Sequence, residues 1–309
     1  MKVMLKTLRN SGFDLLRYLR HSGAVRNADD PDVLRAHIMM DTHRIEKGMA
    51  LPDPRPGFGQ DMLQRLMTNT RAFETQLGSE FATIWARSVL EHYRNFNRAH
   101  AIRSDVVDGF LDNSELCSAL GGITQLNTER SDEFAEAFRA LALSRHSVRQ
   151  FSDTSVDAKL IHDATLIAAK SPSVCNRQSA RLHHITDPDL KQKALEIQGG
   201  NRGFGAQIPE LLIVTSDLSS FLSSAERYQC WIDGGLFAMS LVYALHSKGL
   251  GTCMLNWSVD ASRDIALRKH VDIPASENVI VFIAVGHLPK NLTVATSPRR
   301  HVEQILTVH

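Results

Sequence analysis

Near Ser144 the apolar pattern of this chain changes character, and the change divides the fold in two. From Pro31 to about Ala137, apolar residues recur at helical spacing, most clearly in residues 33–40, 62–67 and 81–90, and no strand signal interrupts them. The one obvious break is Leu51-Pro-Asp-Pro-Arg-Pro-Gly57, whose prolines lack the N–H and the free φ that a continuing helix needs. Beyond Ser144, Thr154-Ser-Val-Asp157 reads as a capping box. Val156, Leu160, Ile161, Ala164, Ile167 and Ala168 then draw one apolar face until Ser171-Pro172 stops the helix. Strand-like runs follow at 181–185, 210–215 and 279–285, with a long helix near 225–247 and a shorter one near 261–269 between the last two. Helices and strands in this order predict an α+β layer fold over residues 138–309, preceded by an all-helical region over 1–137. A chain of 309 residues is long for one core, so two units are expected.

Composition removes several function classes. Lys plus Arg number 35 against 34 Asp plus Glu, so no overall field exists to hold nucleic acid. Cys117, Cys175, Cys230 and Cys253 are widely spaced without a C-x-x-C pair, which predicts reduced thiols and no metal site. His183-His184 falls in a strand-like run, where neighbours face opposite sides and cannot grip one metal. No run of about 18 apolar residues occurs and no secretion signal is visible, so a cytoplasmic protein is expected. In the first two dozen residues, Lys2, Lys6, Arg9, Arg17 and Arg20 alternate with Leu5, Leu8, Phe13, Leu15, Leu16 and Leu19. Such a helix suits either a membrane surface or its own protein; packing on its own protein is the expectation, with no membrane association. No G-x-S-x-G elbow or H-E-x-x-H pair suggests a hydrolase, and Gly199-Gly-Asn-Arg-Gly-Phe-Gly205 precedes a strand where a dinucleotide fingerprint would follow one.

In Ser144-Arg-His-Ser-Val-Arg-Gln-Phe151, an extended backbone turns Arg145, Ser147 and Arg149 to one side. Two planar guanidiniums and a hydroxyl there suit a phosphate. The Gly234-Gly235 pair inside the long helix implies a close approach to that backbone, by a subunit partner, a flat cofactor or a tightly packed neighbour. Four more segments follow in order: Ala169-Lys-Ser-Pro-Ser-Val-Cys-Asn-Arg-Gln178, Lys248-Gly-Leu-Gly-Thr-Cys253, Ala284-Val-Gly-His-Leu-Pro289 and Ser297-Pro-Arg-Arg300.

At these intervals the segments resemble the nitroreductase family of flavoproteins, over residues 138–309. The resemblance implies an α+β fold with a mixed sheet flanked by helices, a homodimer, and FMN at its interface. It implies that Arg145, His146, Ser147 and Arg149 meet the phosphate, ribityl chain and pyrimidine edge, and that Pro172, Ser173 and Asn176 reach the flavin from the second subunit. Asn201 matches an amide offered to the pyrimidine ring. The segment from Cys253 to Asn256, with Leu255 and Asn256, corresponds to the stretch whose backbone passes flavin N5, Gly251 just ahead of it is a further cofactor-binding candidate, and Arg299 matches a phosphate partner that Arg300 assists. No protein residue is assigned the proton transfer, since hydride transfer through a flavin needs none. One departure is Gln178-Ser179-Ala180, where the family commonly has Pro-Trp, and it puts the local loop path in question.

The implied activity is hydride transfer from reduced nicotinamide, through FMN, to a small electron-poor acceptor such as a nitroaromatic or a quinone. The rival functions keep the flavin: oxygen-dependent flavin chemistry, dehalogenation, or a structural or regulatory FMN. Little room exists between Thr215 and Ala225 for a lid of the family's kind, so the helical region is a candidate cover or partner-contact segment. Within Asp41-Thr-His-Arg-Ile-Glu-Lys-Gly48, the residues His43, Arg44, Glu46 and Lys47 are candidates to line a polar substrate pocket; alternatively the stretch is a charged helix end capped by Gly48.

Overall fold

The computed structural model describes residues 2–111, 120–126, 129 and 132–309, so Cys117 lies outside the described residues. Four helices build the helical core: α2 (Pro31–Met49), α3 (Gln60–Leu77), α4 (Phe81–Ala99) and α5 (Asp105–Leu111), with α1 (Lys2–His21) ahead of them. Asp30 starts α2 by accepting the Asp32 N–H at 3.0 Å, with Pro31 in the first turn where its missing N–H does no harm. Ile38, Ile45, Leu63, Leu66, Phe73, Leu90 and Tyr93 are buried together, as the helical spacing required. Charge fixes how the helices lie against one another. Arg65 of α3 grips the fully buried Asp41 of α2 with bonds of 2.7 and 2.8 Å, and Arg87 of α4 grips Glu74 of α3.

Gly48 does not cap α2. The helix runs to Met49 and is closed by Ala50, whose N–H reaches back to the Glu46 and Lys47 carbonyls. Gly48 instead makes room for Phe58, since a Cβ there would stand 2.3 Å from the ring's Cε2. Gly57 and Gly59 flank Phe58 with φ of 73° and 74°, a conformation that side chains resist. Tyr93 donates to the Phe58 carbonyl at 2.7 Å, and the Gly57 N–H donates to Asn97 at 2.6 Å.

The C-terminal half begins with α6 (Asp132–Ser144) and α7 (Ala158–Ala168) and then winds a four-stranded sheet. Its strands are β1 (Ala180–Ile185), β2 (Glu210–Asp217), β3 (Leu250–Asn256) and β4 (Glu277–His287), interleaved with α8 (Pro188–Gln198), α9 (Gln229–Ser247) and α10 (Ala261–Arg268). The spatial order is β1-β2-β4-β3, and all three pairings are antiparallel. The mixed character implied by the resemblance survives among the described residues as one parallel bridge, Ser147 to Thr252. Leu211, Ile213, Phe282 and Ala284 face α8 and α10, while Leu212, Val214, Ile283 and Val285 face α7 and α9. Burial on both faces is why β2 and β4 read as unbroken apolar runs.

Three details differ from the sequence reading. α7 starts at Ala158 because Asp157 itself accepts the Lys159 N–H at 2.9 Å, so Thr154 caps nothing. α9 starts only at Gln229, after a separate turn at Ser224–Glu226. β3 went unseen as a strand because Gly251 and Asn256 are types depleted in strands and only Thr252 of its seven residues is strongly strand-forming. His183 and His184 do face opposite ways, pairing with Glu277 and Glu210, each at 2.7 Å.

The largest surprise is α1. It rests on the C-terminal half by its polar edge: Asn10 donates to Asp260 at 2.8 Å, Arg17 pairs with Asp264, and the Tyr18 hydroxyl donates to the Ser223 carbonyl at 2.6 Å. Tyr18 is its one buried residue among those described, and its leucines point away from the protein. α1 thus packs on its own chain, as expected, but through Asn10, Arg17 and Tyr18 and not through its leucines.

Candidate functional site

Residues 145–149 run alongside β3, with the Val148 N–H donating to the Thr252 carbonyl at 2.8 Å. Val148 is buried, and Gly251 makes that contact possible: a Cβ at 251 would meet Val148 at 3.0 Å and Leu288 at 2.6 Å. With Val148 turned inward beside His146, Arg145, Ser147 and Arg149 take the other side, as alternation predicts. Arg145 is half-buried and Arg149 exposed, and among the described residues no protein group pairs with either guanidinium, whereas the buried Arg177 and the half-buried Arg268 each have a carboxylate. Two guanidiniums with a hydroxyl between them form a row of hydrogen-bond donors. Burial is the first cause that lowers the His246 pKa and the charges of Arg145 and His146 add to it, so a neutral imidazole bonds Ser144 at 2.9 Å behind this segment. Burial also raises the Cys253 thiol against the opposing charge of Arg149, which places that charge near β3.

The second group of predicted residues forms a tight turn. Cys175, Asn176 and Gln178 have φ of 49°, 50° and 49°, so three of four successive residues adopt a left-handed conformation that side chains disfavour. Each such residue is strained by about 1–3 kcal/mol, and the surroundings hold it. Ser173 accepts the Gln178 N–H at 3.0 Å, and Asp233 of α9 accepts the Val174 N–H at 3.2 Å. Arg177, only 2% exposed, donates to the Val174 carbonyl at 3.2 Å and pairs with Glu226. Burial raises the Asp233 pKa, with opposition from Gln229, the Val174 amide and Arg177.

Arg177, Glu226 and Asp233 are the positioning residues that sequence reasoning missed. Asp233 had a signal, since it immediately precedes the Gly234-Gly235 pair. A Cβ on Gly234 would stand 2.5 Å from Ile280, so that glycine serves internal packing, whereas Gly235 meets nothing within 4 Å. Beside Gly235, Ile232, Leu236 and, on α7, Leu166 and Ile167 are exposed.

The two groups do not meet within one chain. His146 and Val148 line a cavity of about 100 Å³ with His246 and Gly251, while Pro172 and Ser173 line one of about 190 Å³ with Asp233 and Phe237. Asn201 spends its amide donors on the Leu195 carbonyl and on Gln198, and Gln198 donates to the Asn256 carbonyl at 3.0 Å. Asn201 is thus tied to the end of β3 through Gln198. The Leu255 side chain is buried in the core, leaving only its backbone for a ligand, while Asn256 is exposed. Arg299 and Arg300 lie on an exposed tail, where Arg299 bonds its own Ser297 carbonyl and neither residue is brought to Arg145.

The helical region reaches this half through α2, which packs across the turns Val174–Asn176 and Leu218–Ser220. A cavity of about 260 Å³ opens there, lined by Asp32, Arg35 and Phe81 from one side and Arg177, Gln178 and Arg181 from the other. Of the residues expected to line such a pocket, His43, Arg44 and Glu46 are otherwise engaged. Glu46 accepts from Trp85 at 2.9 Å and from the Gly122 N–H at 2.7 Å, with His43 at 3.8 Å; Arg44 leans on Asp41.

Comparison with known proteins adds three observations. The nitroreductase family model matches residues 142–201 and 197–287, leaving the helical region outside the match. A 4-nitrobenzoate reductase of Pseudomonas putida is 28% identical over 210 residues, covering 51% of this chain and 88% of the relative; iodotyrosine deiodinase 1 of Sus scrofa is 23% identical over 205 residues, covering 57% and 68%. The crystal structure of ydfN from Bacillus subtilis, described among the nitroreductases, superposes with a TM-score of 0.51 at 16% identity, over 57% of this chain and 100% of that one, and so shares its fold.

Proposed function

Because residues 142–287 belong to the nitroreductase family, we propose that this protein is an FMN-dependent oxidoreductase, working as a homodimer, that passes hydride from a reduced nicotinamide to a small electron-poor acceptor. The observation that carries the reading is the pair of unpartnered guanidiniums, Arg145 and Arg149, flanking Ser147 beside β3. That donor set fits a phosphate-bearing group with an electron-rich ring edge.

FMN, when bound, supplies the two-electron chemistry between donor and acceptor. The chain supplies position and charge. Arg145 and Ser147 would hold the phosphate and ribityl end, with His146 behind them, while Arg299 and Arg300 stand apart from this row on the exposed tail. Arg149 stands at the pyrimidine edge, where a fixed cation favours the reduced, anionic ring. The backbone at Gly251, Leu255 and Asn256 would border the ring, with Asn201 linked to Asn256 through Gln198. Pro172, Ser173 and Asn176 reach the ring from the second subunit. The separate cavities of the two groups and the exposed apolar side chains on α7 and α9 around the open Gly235 both support a two-subunit site. The helical region covers the acceptor, an assignment supported by the seating of α2 on the Val174–Asn176 turn.

The test is direct. Purified protein is expected to be yellow, to lose its flavin when Arg145 is replaced by Gln, and to bleach anaerobically with NADH or NADPH. Colourless protein that takes up no added FMN refutes the reading. A second activity, reductive dehalogenation, is favoured by the match to a deiodinase. Iodide release from iodotyrosine, set against reduction of 4-nitrobenzoate by the same reduced protein, separates the two.

A further inference from the structure

We infer that α1 is a docking element for a membrane leaflet rich in anionic lipid, which it meets lying flat on its outward face. Met4, Leu5, Leu8, Leu15, Leu16 and Leu19 fall within about 120° of one another around the helix, and all six are exposed. The opposite edge carries the bonds that hold α1 to the protein, so the helix is already fixed with its apolar side outward.

Charge selects the occupant. Lys6 and Arg17 lie on the docked side and have carboxylate partners, Asp260 and Asp264. Lys2, Arg9 and Arg20 lie along the border of the leucine face and have no ion-pair partner among the described residues. The single acid of the helix, Asp14, sits on the docked side, lining a cavity with Asn10, Phe13 and Arg17. An apolar strip edged by cations that form no ion pair matches a surface that is anionic outside and apolar beneath, and helices of this composition lie in that boundary. A second protein copy would need acids to meet the three cations, and the helix itself offers none on that side.

The experiment is sedimentation of the full-length protein with vesicles of phosphatidylcholine, with and without phosphatidylglycerol, at low and high salt. The expected result is binding to the anionic vesicles that weakens with salt. Each exposed cation contributes about a fivefold factor in partitioning, so the triple variant Lys2→Gln, Arg9→Gln, Arg20→Gln is expected to bind on the order of a hundredfold more weakly. Leu8→Glu with Leu15→Glu is expected to abolish binding, with helix content by circular dichroism unchanged because both side chains already face solvent. Failure to sediment with anionic vesicles at low salt overturns the inference, as does binding that neither variant alters. A fall in molar mass by light scattering in the leucine variant also overturns it, since a second copy would then be the occupant.

Discussion

Replacing Arg177 by Met tests how the strained turn is held. The side chain is 2% exposed and its NH1 and NH2 both reach the Glu226 carboxylate, while Nε reaches the Val174 carbonyl. Removing one partner of a buried ion pair costs about 3–5 kcal/mol. Here the lower end applies, because Glu226 keeps 22% side-chain exposure and the Leu222 N–H at 2.7 Å. The Val174 carbonyl loses one of two donors, worth about 1 kcal/mol at most, because the Arg177 backbone N–H stays at 3.1 Å. The expected loss is about 3 kcal/mol, read as a shift of the urea midpoint, together with loss of FMN on desalting because the turn is no longer held. Adding Glu226→Gln removes the stranded charge and is expected to restore about 1–2 kcal/mol, a coupling that a double-mutant cycle measures directly. Burial pushes the Glu226 carboxyl up, but the hydrogen bonds of Arg177 and Leu222 and the guanidinium charge together take it below its ordinary value. A lowered folded pKa gives stability that is present above about pH 4.3 and lost as pH falls through the folded value. The gap between wild type and Arg177→Met therefore narrows in acid. A single variant within 1 kcal/mol of wild type, or costs that simply add in the double variant, would refute this account of the turn.

Three further outcomes are expected. Replacing Arg145 or Arg149 by Gln removes a charge-assisted contact worth about 1.5–3 kcal/mol, so FMN affinity by fluorescence titration falls about ten- to a hundredfold while the melting temperature of the flavin-free protein stays put. Gly251→Leu drives a side chain into Val148 and Leu288, overpacking of about 1–3 kcal/mol that displaces residues 145–149 and empties the flavin site while far-ultraviolet dichroism is retained. Because burial raises the Asp233 pKa, that carboxyl adds stability at low pH that is lost as pH rises through its folded value; Asp233→Asn is expected to flatten this segment of a stability-against-pH curve, and an unchanged curve would contradict it.

What the sequence disclosed depended on range. The periodic helices of the first half and the runs that became β1, β2 and β4 were legible because burial on one or two faces writes itself locally. The donor row at Arg145, Ser147 and Arg149 was legible for the same reason, through strand alternation. The hold on the turn was not, since Arg177 meets Glu226 across 49 positions and Asp233 meets Val174 across 59. The sequence left the Glu46 stretch open between a pocket lining and a charged helix end, because its partners, Trp85 and Gly122, lie 39 and 76 residues away. The helix α1 misled in the opposite sense: its amphipathic pattern was plain, but a pattern does not say which face meets the protein.

The contact between Gly48 and Phe58 makes two separated signatures a single volume. Neither position can drift alone: any descendant that gains a side chain at 48 must surrender the ring at 58, and with it the packing against Tyr93. The Pro-rich stretch between them is an exposed connection, so the pair is held by the buried contact itself and not by the length of chain that joins it.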